Sequence, residues 1–346
     1  RDILRDDVVE LGFRPFSESA SWETQCVAIR CLENLIDVNT KLIVELELEL
    51  ECVELFDRTV ARGVDLKDLE RLLRKILRVG VQSDSRRLYV WIALFEMCIR
   101  SSKSSKKTSS TGEDEEDEDD EFVPSELCGK NTFSSEEQER MRNVSERVWK
   151  RCGGSVYAST KCVLLNLFVD LVRLERGDSK NDSKILERIV GIVTSAAQSS
   201  EEIVRVHAMR AMNEVVLRFG SMEDPEVKGM SCLQQYEAQI GMVVKTGFGS
   251  DNPRLTIRAC ETMTSLIRLG VSRDPVAVKR MISKLLPKHA NVKDLQNKNE
   301  NRWAEHVETE ILLNKLKALS ILYLVMSGEL PNLRGALYVV FEREAR

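Results

Sequence analysis

Two stretches of this chain, ending fifty residues apart at Gly220 and Gly270, carry the same helical punctuation, and that recurrence limits the fold more than any other feature. In the first, Ser199–Phe219, the residues Val204, Ala208, Ala211, Met212, Val215 and Phe219 recur at the spacing that lines one face of a helix. Ser199 with Glu202 three positions on has the form of a capping box, and Gly220 is expected to supply a left-handed stop. The second, Asn252–Leu269, takes Asn252 as cap and Pro253 as first helical residue. Its stripe is Ala259, Cys260, Met263, Leu266 and Ile267, and its stop is Gly270. A third helix is expected between them. A unit that recurs with the same face to bury predicts a stack. The spacing approaches the roughly 40–47 residues of HEAT and armadillo units once a longer loop is allowed, with each copy as the second helix of its unit. The alternative is an irregular helical domain holding two similar helices.

Composition agrees with helices packed through aliphatic side chains. The 346 residues are 42% hydrophobic but only 5% aromatic, with seven prolines. The expected class is therefore all-α, a HEAT/armadillo-like α-solenoid of antiparallel helix pairs. Nine cysteines form no Cys-x-x-Cys pair, and Cys31, Cys98, Cys162 and Cys260 fall within helical stripes, which points to a reducing, cytoplasmic setting. The opening at Arg1 and the ending in Arg346 read as the ends of a piece of a longer protein. The longest apolar runs, Val163–Val172 and Leu316–Met326, are broken by Asn166, Asp170 and Lys317 and are too short to span a bilayer.

Taken in order, Trp22–Val38 reads as the first helix. The alternating Val44–Glu51 has the period of a strand, but Glu and Leu are strong helix formers and no partner strand is nearby. A helix is therefore expected, with Leu48, Val53, Leu55 and Phe56 on its apolar side. Leu66–Val79 and Asp84–Arg100 read as a pair split at Gly80, the second with a stripe of Leu88, Trp91, Ile92, Phe95 and Ile99. Composition then breaks. Ser101–Thr111 is rich in Ser, Thr and Lys, and Glu113–Glu121 is nine consecutive acids, so residues 101–134 are expected to be a disordered acidic insert. Ser110 and Thr111 have acids three residues on, which suits an acid-directed kinase; an unmodified linker is the alternative. Without those nine charges a formal net charge of −5 becomes +4, so the remainder shows no nucleic-acid footprint. Helical repeats are expected in 1–100 and 135–346. The latter begins with a charged helix from Ser134 to Arg151 and continues through Val156–Leu174, Ile185–Ala197, Val276–Leu286, Trp303–Met326 and a last helix after Pro331.

No constellation for catalysis is legible. His207, His289 and His306 are scattered without zinc-like spacing, and Gly247-Phe-Gly249 lacks the third glycine and preceding strand of a dinucleotide loop. No phosphate-binding Gly-Lys-Ser/Thr occurs. Neither an enzyme nor a cofactor is expected. The face that invites a partner is on the helix Cys232–Val244. Leu233, Tyr236, Ile240 and Val243 form its apolar side, with Ala238 and Gly241 small enough for a neighbouring helix to approach. Its other side offers Gln234, Gln235, Glu237 and Gln239, polar but scarcely charged, where solvated helices ordinarily carry Lys and Glu. These four are the candidate partner-binding residues; an ordinary solvated face is the alternative.

Several segments resemble one family in order. They are Trp22-Glu-Thr-Gln-Cys-Val-Ala-Ile-Arg-Cys-Leu32, Leu171-Val-Arg173, Ala208–Phe219 with Ser221-Met-Glu-Asp-Pro225, Leu233-Gln-Gln-Tyr-Glu-Ala-Gln-Ile-Gly241, Ala259-Cys-Glu261 and Gly270-Val-Ser-Arg-Asp274. They are similar to segments of the HEAT repeat-containing protein five family, which includes the large accessory protein of the fungal clathrin adaptor and SWEETIE-like plant proteins. The likeness covers roughly Ser21–Val38 and Val156–Met326. The resemblance implies a long, non-enzymatic scaffold that associates with the clathrin adaptor complex and small accessory proteins. It would lie peripherally at Golgi and endosomal membranes and bind no nucleic acid. A HEAT subunit of another machine, a nuclear transport receptor or a chromosome-organising complex, is the other reading; those would show acidic inner helices or a basic groove, and neither charge pattern is visible.

Overall fold

The computed structural model describes residues 21–40, 48–60, 66–83, 87–100, 139, 156–174, 179–224, 227–250, 252–272, 275–285 and 302–327. The acidic insert, the last helix after Pro331 and, apart from Glu139, the helix expected from Ser134 to Arg151 lie outside them. Among the described residues the chain is all-α: eleven α-helices, one 3-10 turn and an isolated bridge between Glu223 and Ser231. It divides into two compact units, Arg1–Leu174 and Glu175–Arg346.

The first unit holds α1 (Trp22–Val38), α2 (Leu48–Val60), α3 (Lys67–Ser83), α4 (Arg87–Arg100) and α5 (Ala158–Leu174). Helix α1 begins at Ser21, whose side chain accepts the Thr24 backbone N–H, and it buries Gln25, Ile29, Leu32 and Ile36 at spacings of four, three and four. Three ion pairs tie it to α3: Arg30 to Asp68 at 3.3 Å, Glu33 to Arg71 at 2.9 Å and Asp37 to Lys75 at 2.5 Å. Each joins a residue to one 38 positions on, so the two helices run parallel. Parallel alignment is what the first helices of successive hairpins adopt in a stack. The alternating segment is helical from Leu48 onward, with Leu48, Val53, Leu55 and Phe56 buried; residues 41–47 lie outside the described set.

The break expected at Gly80 is absent. Helix α3 runs through a buried Gly80 to Ser83, because the stripe Leu69, Leu72, Leu73, Ile76 and Leu77 is fully covered. That burial outweighs the roughly 1 kcal/mol a glycine costs a helix interior. The expected stripe of α4 is buried throughout, and Phe95 links Trp91 to Phe168 of α5 with ring centroids 5.6 Å apart on both sides.

The second unit holds α6 (Ser179–Ala197), α7 (Glu202–Phe219), α8 (Glu237–Phe248), α9 (Pro253–Arg268), α10 (Pro275–Leu285) and α11 (Arg302–Ser327). Helix α7 packs on α6 and α9, and α9 packs on α8 and α11; α10 leans on α11. Ser265 donates to Asn213 at 2.9 Å and Thr262 to the Met209 carbonyl at 3.4 Å, offsets of 52 and 53 residues, so α7 and α9 also run parallel. The arrangement is three hairpins, α6/α7, α8/α9 and α10/α11, whose second helices stack as one layer. This is the HEAT architecture, with α7 and α9 in the positions the recurrence predicts.

Two of the expected stops and starts differ. The capping box does not form: the Ser199 hydroxyl accepts the Glu201 N–H at 3.2 Å, a tight local turn, and α7 begins only at Glu202 without a side-chain cap. Gly220 is right-handed at φ −64°, so it is not a left-handed stop. Its reason is space. A β-carbon there would meet the Val216 carbonyl oxygen at 2.5 Å and Leu269 Cδ1 at 2.9 Å. Gly270, by contrast, has φ +70°, with its N–H on the Ile267 carbonyl and that of Val271 on the Leu266 carbonyl, a Schellman end. Asn252 caps α9 by accepting the Arg254 N–H at 2.9 Å, and Pro253 takes the first turn, both as expected.

Candidate functional site

The helix expected at Cys232–Val244 is displaced. Cys232 and Leu233 are buried ahead of a 3-10 turn, Gln234–Tyr236, and α8 starts at Glu237 and continues to Phe248. The delay has a local cause. Residues 221–224 and 227–233 lie against one another, with Asp224 N–H on the Met230 carbonyl at 2.8 Å, Cys232 N–H on the Met222 carbonyl at 2.9 Å and Gly229 at φ +78°. The chain therefore enters α8 through a tightened turn. Tyr236 sits half-buried in that turn. Burial pushes its phenol up to about 12, with the Glu187 carboxylate adding to the shift.

The small residues of α8 do not serve as a helix contact. Ala238 is exposed, and a β-carbon built on Gly241 meets nothing within 4 Å. They face an open groove of about 800 Å³ that separates α8 from α10. Close approach occurs instead at Gly247, which sequence reasoning missed. A β-carbon there would meet Met209 Cε at 2.7 Å and Ala259 Cβ at 2.8 Å, so α7 and α9 both close onto that glycine.

Three of the four candidate residues line the groove. Gln234 lines it and keeps an enclosed Oε1 that has no hydrogen-bond partner, and exposed Gln235 donates to the Cys232 carbonyl at 3.5 Å. Glu237 is held by the hydroxyl of buried Ser272, which donates to its Oε1. That bond joins the Leu233–Gly241 segment to the Gly270–Asp274 segment and anchors the start of α8. Gln239 is exposed and lies outside the groove lining. The opposite wall comes from α10, where Ala277, Arg280, Met281 and Lys284 recur at helical spacing; Val244, Lys245 and Phe248 complete the α8 side. The sequence reading placed a helix over Val276–Leu286 but singled out neither this stripe nor its facing partner.

The remaining chemistry is sparse. Among the described residues no three His, Cys, Asp or Glu side chains gather as a metal site, and no helix is long and apolar enough to cross a membrane. His207 is half-buried, and burial together with Arg210 and Arg258 holds its imidazole below the ordinary value; the same cationic surroundings oppose a metal ion. The buried Cys260 thiol is pushed up to about 11, chiefly by burial, which keeps it protonated and unreactive at neutral pH.

Comparison with known proteins places this unit. Residues 183–344 match the Laa1/Sip1/HEATR5 HEAT repeat region, a span that covers the described hairpins of the second unit almost entirely. Protein SWEETIE of Arabidopsis thaliana is 27% identical over 159 residues, 45% of this chain and 7% of SWEETIE. The match thus spans a small fraction of that relative's length. No solved structure matches the chain.

Proposed function

We propose that this chain, whose residues 183–344 belong to the Laa1/Sip1/HEATR5 family of HEAT-repeat proteins, is a non-enzymatic scaffold. We assign it to clathrin-adaptor-dependent trafficking between the trans-Golgi network and endosomes. The observation that carries the reading is the coincidence of the family match with the three stacked hairpins, whose surface offers a groove. The ordered likeness of Leu233–Gly241 and Gly270–Asp274 to that family adds support, since the Ser272–Glu237 bond makes both part of one local structure. A stack of helix pairs presents an extended surface on which several proteins can assemble at once. In this role the chain reaches Golgi and endosomal membranes through the adaptor complex and small accessory proteins.

Affinity capture of the tagged full-length protein from cells tests the assignment. Enrichment of clathrin-adaptor subunits over a tag-only control is the expected result. Recovery of nuclear transport cargo or chromosome-organising subunits, with adaptor subunits at background, would overturn it.

A further inference from the structure

The groove between α8 and α10 has a charge pattern and a shape that specify its occupant. Its apolar part, the floor, is lined by Ala238, Gly241, Val244 and Phe248 of α8 and by Ala277 and Met281 of α10, with open space over Gly241. A volume of about 800 Å³ falls in the range of ligand-binding clefts and has room for several side chains. Its rim is cationic. Lys245, Arg280 and Lys284 line it, and among the described residues none of the three has an acidic partner. The lining holds one acid, Glu237, whose Oε1 accepts the Ser272 hydroxyl, so the cations outnumber it three to one.

We propose that this groove receives a short acidic peptide segment of a partner protein, seating a large apolar side chain over Gly241 and setting carboxylates against Lys245, Arg280 and Lys284. Charge complementarity at the rim selects the peptide and speeds its docking, while the apolar floor holds it. The inference rests on the scaffold reading only in taking the partner to be a protein. Neutral peptides satisfy the floor but leave three cations without a counter-charge, and basic peptides are repelled.

The test selects from a displayed library of random twelve-residue peptides on the purified 346-residue chain, then measures the selected peptide by fluorescence anisotropy. Enrichment of sequences combining several Asp or Glu residues with an aromatic or long aliphatic residue is expected, with affinity falling as salt rises. Two variants probe the groove in different ways. Lys245→Glu with Arg280→Glu reverses the rim at exposed positions, and Gly241→Leu fills the floor where there is open space. Each should weaken the selected peptide by about tenfold or more, with circular dichroism and melting temperature preserved. Failure to enrich acidic sequences overturns the proposal, as does undiminished binding by the folded Gly241→Leu chain. Binding of phosphatidylserine vesicles in place of peptides would assign the groove to a membrane surface and would also overturn it. Because the purified chain is the only protein present, loss of adaptor capture with peptide binding intact removes the trafficking assignment and leaves the groove. The reverse outcome removes the groove alone.

Discussion

The carboxylate of Asp57 accepts the hydroxyl of Thr160 at 2.6 Å, across a separation of 103 residues. The same Oδ1 also accepts the Tyr157 backbone N–H at 3.0 Å, so a residue near the end of α2 supplies an acceptor at the start of α5. An anionic acceptor at a helix N-terminus satisfies an orphan N–H and meets the positive end of the helix dipole. Asp57 is buried, so its loss leaves those donors without solvent to replace it.

Replacing it tests this cap. Asp57→Ala should lower the stability of the first unit by about 1–3 kcal/mol, read by urea denaturation, and Asp57→Asn should lose less because an amide oxygen can still accept.

Glu49 and Arg87 make a second buried link in the same unit. Glu49 is 1% exposed and Arg87 8%, with their charged groups 3.4 Å apart. Arg87→Leu removes an ion-pair partner of a buried carboxylate and should cost about 3–5 kcal/mol; adding Glu49→Gln should recover much of the loss. Equal melting temperatures for the single and double variants would contradict this account.

Two glycines of α8 should respond to alanine with opposite sign. Gly241→Ala enters open space and relieves a helix-interior glycine, giving a gain of up to about 1 kcal/mol. Gly247→Ala drives a methyl into Ala259 and Met209 and should cost about 1–3 kcal/mol. Thermal melts of the two variants beside the wild type give the comparison directly.

Alkaline pH should weaken the second unit in a defined window. Tyr236, raised from 10.0 to about 12, and Cys260, raised from 9.0 to about 11, are both harder to ionise in the folded state. An unfolded chain releases these protons first. The stabilising contribution is therefore complete below about pH 9 for the thiol and pH 10 for the phenol, and it is lost as pH rises through 11 and 12. Urea midpoints measured from pH 8 to 11.5 should fall, and Tyr236→Phe should flatten the upper part of that fall.

Where a helix begins or ends was legible when the signal is local. Asn252–Pro253 and Gly270 act within about four residues of themselves, and the structure realises both as the sequence implied. The apolar stripes of α4, α7 and α9 were equally legible, because a helical period commits a face to burial whatever covers it. Local signals misled where two local outcomes compete. The Ser199 hydroxyl could cap a helix or close a short turn, and it closes the turn; the bent segment before Gln234 delayed α8.

What only the tertiary structure decided is which small residues are crowded and which are left open. Nothing in the residues flanking Gly220, Gly241 and Gly247 marks how crowded each is. Leu269 of the neighbouring hairpin crowds Gly220, α7 and α9 close on Gly247, and the separation of α8 from α10 leaves Gly241 bare. The same separation turned Gln234, Gln235 and Glu237 into one wall of a cationic groove and left Gln239 outside it. A sequence fixes which face of each helix must be buried, through side-chain period and propensity. How far apart two hairpins come to rest depends on the sum of contacts from other helices, and no stretch of sequence carries that sum alone.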